Sequence, residues 1–413
     1  MDTTSHQEVT ADLREYYCDM HIHIGRTQSG QAVKISGSKN LTFENIAKEA
    51  AERKGIEMIG IIDCHSPSVQ DDIRACLDEG LMKELDGGGI AYQNTVILMG
   101  SEIEIKGTGK GAAHVLAFFR DLDTIQDFTK WMSRYMKNVQ LSSQRIYVEP
   151  RELQQEILVR DGILIPAHVF TPHKGLYGSM ADRMSEVFDL NGIAAIELGL
   201  SADSSMAGYI SEMDNYSFLT NSDAHSLGKI GREYNSIQMA SPSFDEFRKA
   251  LARQDGRYVA ANYGLNPLLG KYHRTYCSNC NSILDEVMIV SSKDRCPLCG
   301  SLKTVQGVFD RIMSIADREE PYYPSHRPSY HYQVPLEFIP GLGKAVMSKL
   351  LAAFGTEMAI LHRTSTADLA SVVGEGIANR IVEARNGILE LSSGGGGTYG
   401  KVVRDSKTMK SIR

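Results

Sequence analysis

Short apolar runs recur through the first part of the chain, and each is ended or opened by an ionisable residue. Ile56 to Ile62 leads to Asp63 and His65, Val96 to Ser101 to Glu102, and Gly162 to Ala167 to His168. His114 opens the run Val115 to Phe119, and Ser217 to Thr220 leads to Asp223 and His225. Asp19-Met20-His21-Ile22-His23 stands before them all. Runs this short predict strands. Stretches with helical spacing, such as Thr42 to Lys54 and Val148 to Arg160, alternate with them, so the pattern predicts a β/α barrel. In such a barrel the strand ends converge on one mouth, where catalytic groups collect. Within an insertion-like region from Asp121 to Glu149, Trp131 and Tyr135 at i and i+4 are expected to pack in the core.

On a strand, the imidazoles of His21 and His23 project from one face while Ile22 turns into the core. A lone histidine beside a strand is ordinarily structural, and Asp63 or Asp223 alone could be a helix cap. The number of such residues favours another role, because burying many ionisable groups together is costly unless they are paired or bound to metal. Imidazoles mixed with carboxylates suit zinc, manganese or iron better than magnesium. More candidate ligands are present than one ion takes, so two or three divalent ions are expected. Clustered ions activate water and clamp the attacking and leaving oxygens of a phosphoryl centre, which makes phosphoester hydrolysis the expected chemistry.

Asp-x-His-x-His, an acid-x-His after an apolar run, Gly-x-Glu, Pro-Ala-His and Ser-Asp-Ala-His together resemble the polymerase and histidinol phosphatase (PHP) superfamily. The resemblance implies a distorted seven-stranded β/α barrel with a trinuclear site. It implies His21, His23, His65, Glu102, His114, His168, Asp223 and His225 as metal ligands, with either Asp63 or His65 filling the second motif. Glu102, His168, Asp223 and His225 would be the catalytic members, and Asp19 would orient an imidazole from behind. Residues 24 to 31 lack the further histidine that many members carry, which leaves the third metal's ligand open.

Downstream, Cys277-Ser278-Asn279-Cys280 and Cys296-Pro297-Leu298-Cys299 are separated by fifteen residues. Four cysteines so spaced predict one structural zinc, with Cys277, Cys280, Cys296 and Cys299 as a thiolate tetrahedron. Disulfides are the alternative, and no apolar leader of the secretory kind favours them. Beyond a stretch rich in Tyr, Pro and His, Pro340-Gly341-Leu342-Gly343-Lys344 precedes an apolar helical run. Gly374-Glu375-Gly376 repeats the arrangement thirty-three residues later. The two units resemble tandem helix-hairpin-helix elements. Glycines let the hairpin approach a phosphate, to which amides there and at the next helix start donate. Gly341, Gly343, Lys344, Gly374 and Gly376 are therefore candidate DNA contacts. Arg232, Lys229 and Lys174 follow the metal motifs and could hold flanking phosphates.

The order barrel, zinc module, helix-hairpin-helix resembles endonuclease Q, and Ile196-Glu197-Leu198-Gly199 and Ile230-Gly231-Arg232-Glu233 add to the likeness. The resemblance implies cleavage 5′ of uracil, hypoxanthine, xanthine or an abasic site in double- or single-stranded DNA, leaving a 3′ hydroxyl and a 5′ phosphate. A lesion base leaving the stack would need a pocket, for which Arg26 to Thr42 is the candidate wall. A PHP-type phosphatase acting on a small phosphomonoester is the alternative. Replication or repair proteins would be partners, and the setting cytoplasmic and nucleoid-associated.

The expected layout is a catalytic domain over 1–265, a zinc module over 270–305, a helix-hairpin-helix domain over 335–390 and a flexible basic tail over 391–413. Residues 1 to 15 are expected to form a poorly ordered lead-in. The net charge of −7 is unusual for a DNA binder. Bound divalent ions would offset part of it, and the last thirteen residues carry five basic side chains against one acid. No apolar run is long enough to span a membrane.

Overall fold

The computed structural model describes residues 12–107, 111–270, 272–284 and 295–388, together with Leu391–Ser392 paired to Lys401–Val402. The first eleven residues of the expected lead-in, and the rest of the expected basic tail, lie outside the described residues.

Strands β1 (Arg14–Ile22), β2 (Met58–Ile61) and β3 (Thr95–Ile105) run parallel and side by side. β4 (Ala113–Phe119) returns antiparallel to β3, and β5 (Ile163–Pro166) lies antiparallel to β4. The regular β/α alternation fails here because the connection 106–112 is too short for the crossover that a parallel pair requires. β6 (Ala195–Glu197) and β7 (Ser217–Leu219) pair in parallel. The Ala194 amide donates to Leu164 O and joins β6 to β5, while an Ile22–Ala224 bridge returns the chain after β7 to β1. The strands therefore follow one another around a ring. β8 (Tyr234–Met239) and β9 (Tyr258–Gly264) extend the sheet from β1. Ser329–Tyr332, from beyond the cysteine region, adds a further strand against β9.

Side chains alternate between two apolar layers. Met20, Met58, Leu98, Leu116, Phe118, Ile165 and Leu219 fill the ring's interior. Ile59, Ile61, Ile97, Met99, Val115 and Leu164 belong to the larger cluster that includes the surrounding helices. Gly60 and Gly100 make room for Phe118, whose ring lies 2.8 Å from where a Cβ on either would stand. Phe244–Leu251 closes the end where β1 and β3 begin, with Phe247 edge-on to Phe118. The opposite end stays open. Trp131, 4% exposed and 5.3 Å from the Tyr135 ring, packs in the core as expected.

The cysteine region forms three short strands, Tyr276–Cys277, Ser282–Ile283 and Thr304–Val305. Helices Lys344–Phe354, Glu357–His362, Thr366–Val373 and Glu375–Arg385 follow, with Met347, Leu350, Met358, Leu369, Ala378 and Ile381 buried. The second of these helices docks against the barrel. Its His362 ring stacks on Tyr17 at 4.6 Å and lies 2.6 Å from the Tyr234 hydroxyl, and Glu357 meets Lys54 at 2.9 Å. Burial, reinforced by Arg385 and Arg363, holds the His362 imidazole down at about 4.

Candidate metal centre

The ring's open end gathers the ionisable residues. On β1 the pairing register shifts between Asp19 and Ile22. Met20 belongs to the interior cluster and Ile22 to the outer one, so the inward parity changes across the shift and His21 and His23 come to face the mouth. Glu102 shares the inward parity of Leu98 on β3, and His114 that of Leu116 on β4. β4 runs antiparallel, so its candidate ligand comes before its apolar run instead of after it. His168 and Asp223 follow β5 and β7 in left-handed backbone, with φ of 31° and 46°. Such conformations are costly for non-glycine residues and are held by their surroundings. Gly199 packs so closely on His168 that a Cβ there would lie 2.9 Å from the histidine Cβ.

Glu102 is the hub. Its Oε1 lies 2.9 Å from His114 Nδ1, 3.3 Å from His168 Nε2 and 3.4 Å from His21 Nε2, and its Oε2 lies 3.6 Å from His23 Nε2. Asp223 Oδ1 stands 3.4 Å from His23 Nε2, 3.5 Å from His225 Nδ1 and 3.6 Å from His21 Nε2. Three overlapping groups result: His21, His23 and Glu102; Glu102, His114 and His168; and His23, Asp223 and His225. In each, the donor atoms lie within 4.8 Å of one another. His21 Nε2 and His168 Nδ1 are buried without a hydrogen-bond partner. Unmet buried nitrogens are rare, and the one on His21 faces the carboxylates, where a cation could sit.

A second layer fixes these rings. Glu197 Oε1 and Oε2 lie 3.0 and 3.1 Å from His21 Nδ1 and also accept from Asn221 Nδ2 and the His168 amide. Asp63 Oδ2 lies 3.1 Å from His23 Nδ1. Each carboxylate holds a proton on Nδ1 and leaves Nε2 for a cation, an arrangement common behind metal-bound histidines. Lys34 Nζ lies 3.5 Å from Glu102 Oε2 and 2.5 Å from Ser143 Oγ. Neither Glu197 nor Lys34 is among the ligands that the sequence motifs imply.

Burial opposes ionisation of Glu102 and Asp223, yet the surrounding imidazoles, and Lys34 beside Glu102, hold both carboxyls well below the usual range. Burial likewise opposes a charged His21, but Glu197, Glu102 and Asp223 outweigh it and hold the ring well above its ordinary value. A divalent ion would displace such protons, so its binding is coupled to proton release.

Several expected residues are redirected. Asp63 and His65 join none of the three groups. Asp63 serves His23 from behind, while His65 Nδ1 lies 2.9 Å from Ser101 Oγ and its Nε2 faces Leu141 O. The chain turns after Ile61, so strand alternation no longer directs these two side chains. Asp19 orients no imidazole; it accepts from the Ser222 amide at 3.0 Å and the Gly231 amide at 2.9 Å, stapling the loop that carries Asp223. Arg232 donates to Ser222 O at 2.7 Å and braces the same loop. Lys174 pairs with Glu104 and Lys229 with Glu337. Gly341, Gly343, Lys344, Gly374 and Gly376 are exposed, with Gly341 at φ +88° and Gly374 at φ +80°.

A cavity of about 470 Å³ opens over the cluster, and its walls include Lys34, Ser36, His173, Arg232 and Tyr272. Lys34 and Ser36 come from the segment expected to supply a pocket wall. Farther along, the sulfurs of Cys277, Cys280, Cys296 and Cys299 lie within 4.8 Å of one another and could hold one ion. Amides of the first knuckle, chiefly that of Cys280, pull the Cys277 thiol down to about 6, which favours a thiolate ligand.

The family described as PHP-associated matches residues 205–255. The chain is 50% identical over 392 residues to the uncharacterised protein YqxK of Bacillus subtilis, covering 94% of this chain and all of that one. The lesion-specific endonuclease PfuEndoQ of Pyrococcus furiosus is similar in structure, with a TM-score of 0.81 and 31% identity, across 97% of this chain and 100% of that one. Endonuclease Q in complex with a 27-mer duplex bearing an abasic lesion at the active site matches with a TM-score of 0.82 and 31% identity, over 96% and 98%. Among the described residues no helix is long and apolar enough to cross a membrane.

Proposed function

The chain belongs to the endonuclease Q family, and from that membership we propose that it is a metal-dependent DNA endonuclease of lesion repair. It hydrolyses the phosphodiester 5′ of uracil, hypoxanthine, xanthine or an abasic site and leaves a 3′ hydroxyl and a 5′ phosphate. The carrying observation is the sharing of Glu102 and His23 among overlapping ligand groups at the floor of a cavity large enough for a nucleotide.

His21, His23, Glu102, His114, His168, Asp223 and His225 would hold two or three divalent ions. Bound there, the ions supply Lewis acidity to the phosphate and an activated water. Glu197 and Asp63 hold the Nδ1 proton of the two β1 histidines, which leaves Nε2 as the atom from which an ion would displace a proton. Lys34 sets an ammonium against the wall where charge grows on phosphate oxygens. The exposed glycine hairpins grip backbone phosphates through their amides, with Lys344 beside the first; such contacts position DNA without reading its sequence. Deaminated bases pair poorly, so drawing one from the stack into the cavity costs less than drawing out a normal base. The domain layout follows as 1–265 catalytic, 270–305 zinc-bound and 335–390 DNA-gripping. Its work is on chromosomal DNA in the cytoplasm, among replication and repair proteins.

Protein stripped by chelator and reloaded with manganese, magnesium or zinc is offered a uracil-containing duplex, its undamaged counterpart and a free phosphomonoester. Metal-dependent loss of the uracil strand alone supports the proposal. Hydrolysis of the phosphomonoester with both duplexes intact would favour the phosphatase alternative.

A further inference from the structure

Ile35 is 81% exposed, the most exposed large apolar side chain among the described residues. Single exposed apolar residues are ordinary on protein surfaces. What distinguishes this one is its mounting. It sits between Lys34 and Ser36, both of which line the cavity over the metal cluster. The turn is closed by the Gly37 amide donating to Lys34 O at 2.9 Å. It is anchored by the Lys34 amide to Ile24 O at 2.9 Å, the Val33 amide to Gly25 O at 3.0 Å, and the Ser38 amide to His225 O at 2.9 Å. Gly25 and Gly37 touch backbone to backbone, since a Cβ on Gly37 would stand 2.9 Å from Gly25 Cα. The apex is thus tied to the segment that follows β1 on one side and to a cluster histidine on the other, and cannot fold away from the lip. A β-branched side chain is stiff at χ1 as well.

Building on the endonuclease reading above, we propose that Ile35 is a wedge, entering the base stack beside the nucleotide drawn into the cavity and holding the gap open. Apolar side chains presented to a duplex partly unstack base steps in this way. A polar or short residue at the apex would leave the vacated space to water and let the base return. The role requires a duplex, because an unpaired strand has no complementary base and no duplex stack to reclaim its base. It is separate from the metal cluster, which Ile35 does not join.

The test uses the full-length, metal-loaded protein with Ile35→Ser, Ile35→Ala and Ile35→Leu. Substrates are a uracil strand in a duplex, the same strand alone, and a duplex with 2-aminopurine next to the uracil. Ile35→Ser and Ile35→Ala should slow single-turnover cutting of the duplex tenfold or more and abolish the binding-induced 2-aminopurine fluorescence rise. Cutting of the lone strand should change less than twofold, and Ile35→Leu should restore both signals. Equal losses on duplex and single strand, or no loss on either, would overturn the wedge while leaving the endonuclease reading intact. Wild-type protein that cuts neither substrate overturns the endonuclease reading and this role with it.

Discussion

Replacing Glu197 with glutamine separates the role of this carboxylate in setting the state of His21 from a role in packing. Glu197 acts only as an acceptor: it receives His21 Nδ1 at 3.0 and 3.1 Å, the His168 amide at 2.9 Å and Asn221 Nδ2 at 2.9 Å. Glutamine keeps the shape but offers one oxygen and one NH₂ group, so at least one of these buried donors must face another donor. An unmet buried donor costs about 1–3 kcal/mol. Alternatively the NH₂ donates to His21 Nδ1, which drives the ring proton to Nε2, the atom aimed at Glu102 and Asp223. An incoming cation must then drive that proton to Nδ1, where the NH₂ group leaves it no acceptor. At about 1.4 kcal/mol per factor of ten, either route weakens metal binding roughly ten- to a hundredfold, the usual effect of losing an outer partner. Competition against a chromophoric chelator reads the affinity, and DNA cutting at limiting and saturating metal shows whether excess metal restores the rate. A folded Glu197→Gln protein with wild-type metal affinity would refute the tautomer reasoning and leave Glu197 as packing alone.

Asp223→Ala removes the carboxylate between His21, His23 and His225 and should abolish cutting while duplex binding, read by fluorescence anisotropy, stays near wild type; full activity would remove Asp223 from the cluster's chemistry. Cys296→Ser should lower bound zinc by one equivalent in elemental analysis and open the segment around 272–305 to protease while the barrel's melting is unchanged. His362 makes stability depend on pH: its docked ring is held at about 4 against an ordinary 6.5, worth about 3 kcal/mol by linkage. The unfolded ring takes up a proton that the docked ring refuses, so this stability is whole above about pH 6.5 and is lost as pH falls toward 4. Urea unfolding at pH 7 and pH 4.5 should show the loss in wild type and a flatter response in His362→Phe; equal slopes would contradict it.

Much of the cluster was legible because its imidazoles and carboxylates stand at the ends of apolar runs and the eye can follow them strand by strand. His114, placed before its run, even carried the mark of an antiparallel strand. Two things escaped. Alternation fails where a strand bulges or ends, so Asp63 and His65 could not be assigned from parity, and the shift on β1 was invisible. Glu197 and Lys34 are meaningful only through partners far away in sequence, His21 and Glu102. Glu197 had a signal, an acid closing the apolar run Ile193 to Ile196, the same pattern that exposed Glu102. Lys34 had none, since a lysine in a turn is ordinarily solvated. The β/α order was likewise readable except where the short 106–112 connection forces β4 to reverse, because strand direction depends on connection length as well as on periodicity.

The most direct measurement maps the cut itself. End-labelled duplexes that differ only by cytosine, uracil, hypoxanthine or an abasic site are incubated with the metal-loaded protein, and product ends are resolved to the nucleotide. A single cut immediately 5′ of the lesion, carrying a 3′ hydroxyl and absent from the cytosine duplex, is the predicted result. Intact duplexes under every metal, or cuts placed without regard to the lesion, would contradict it.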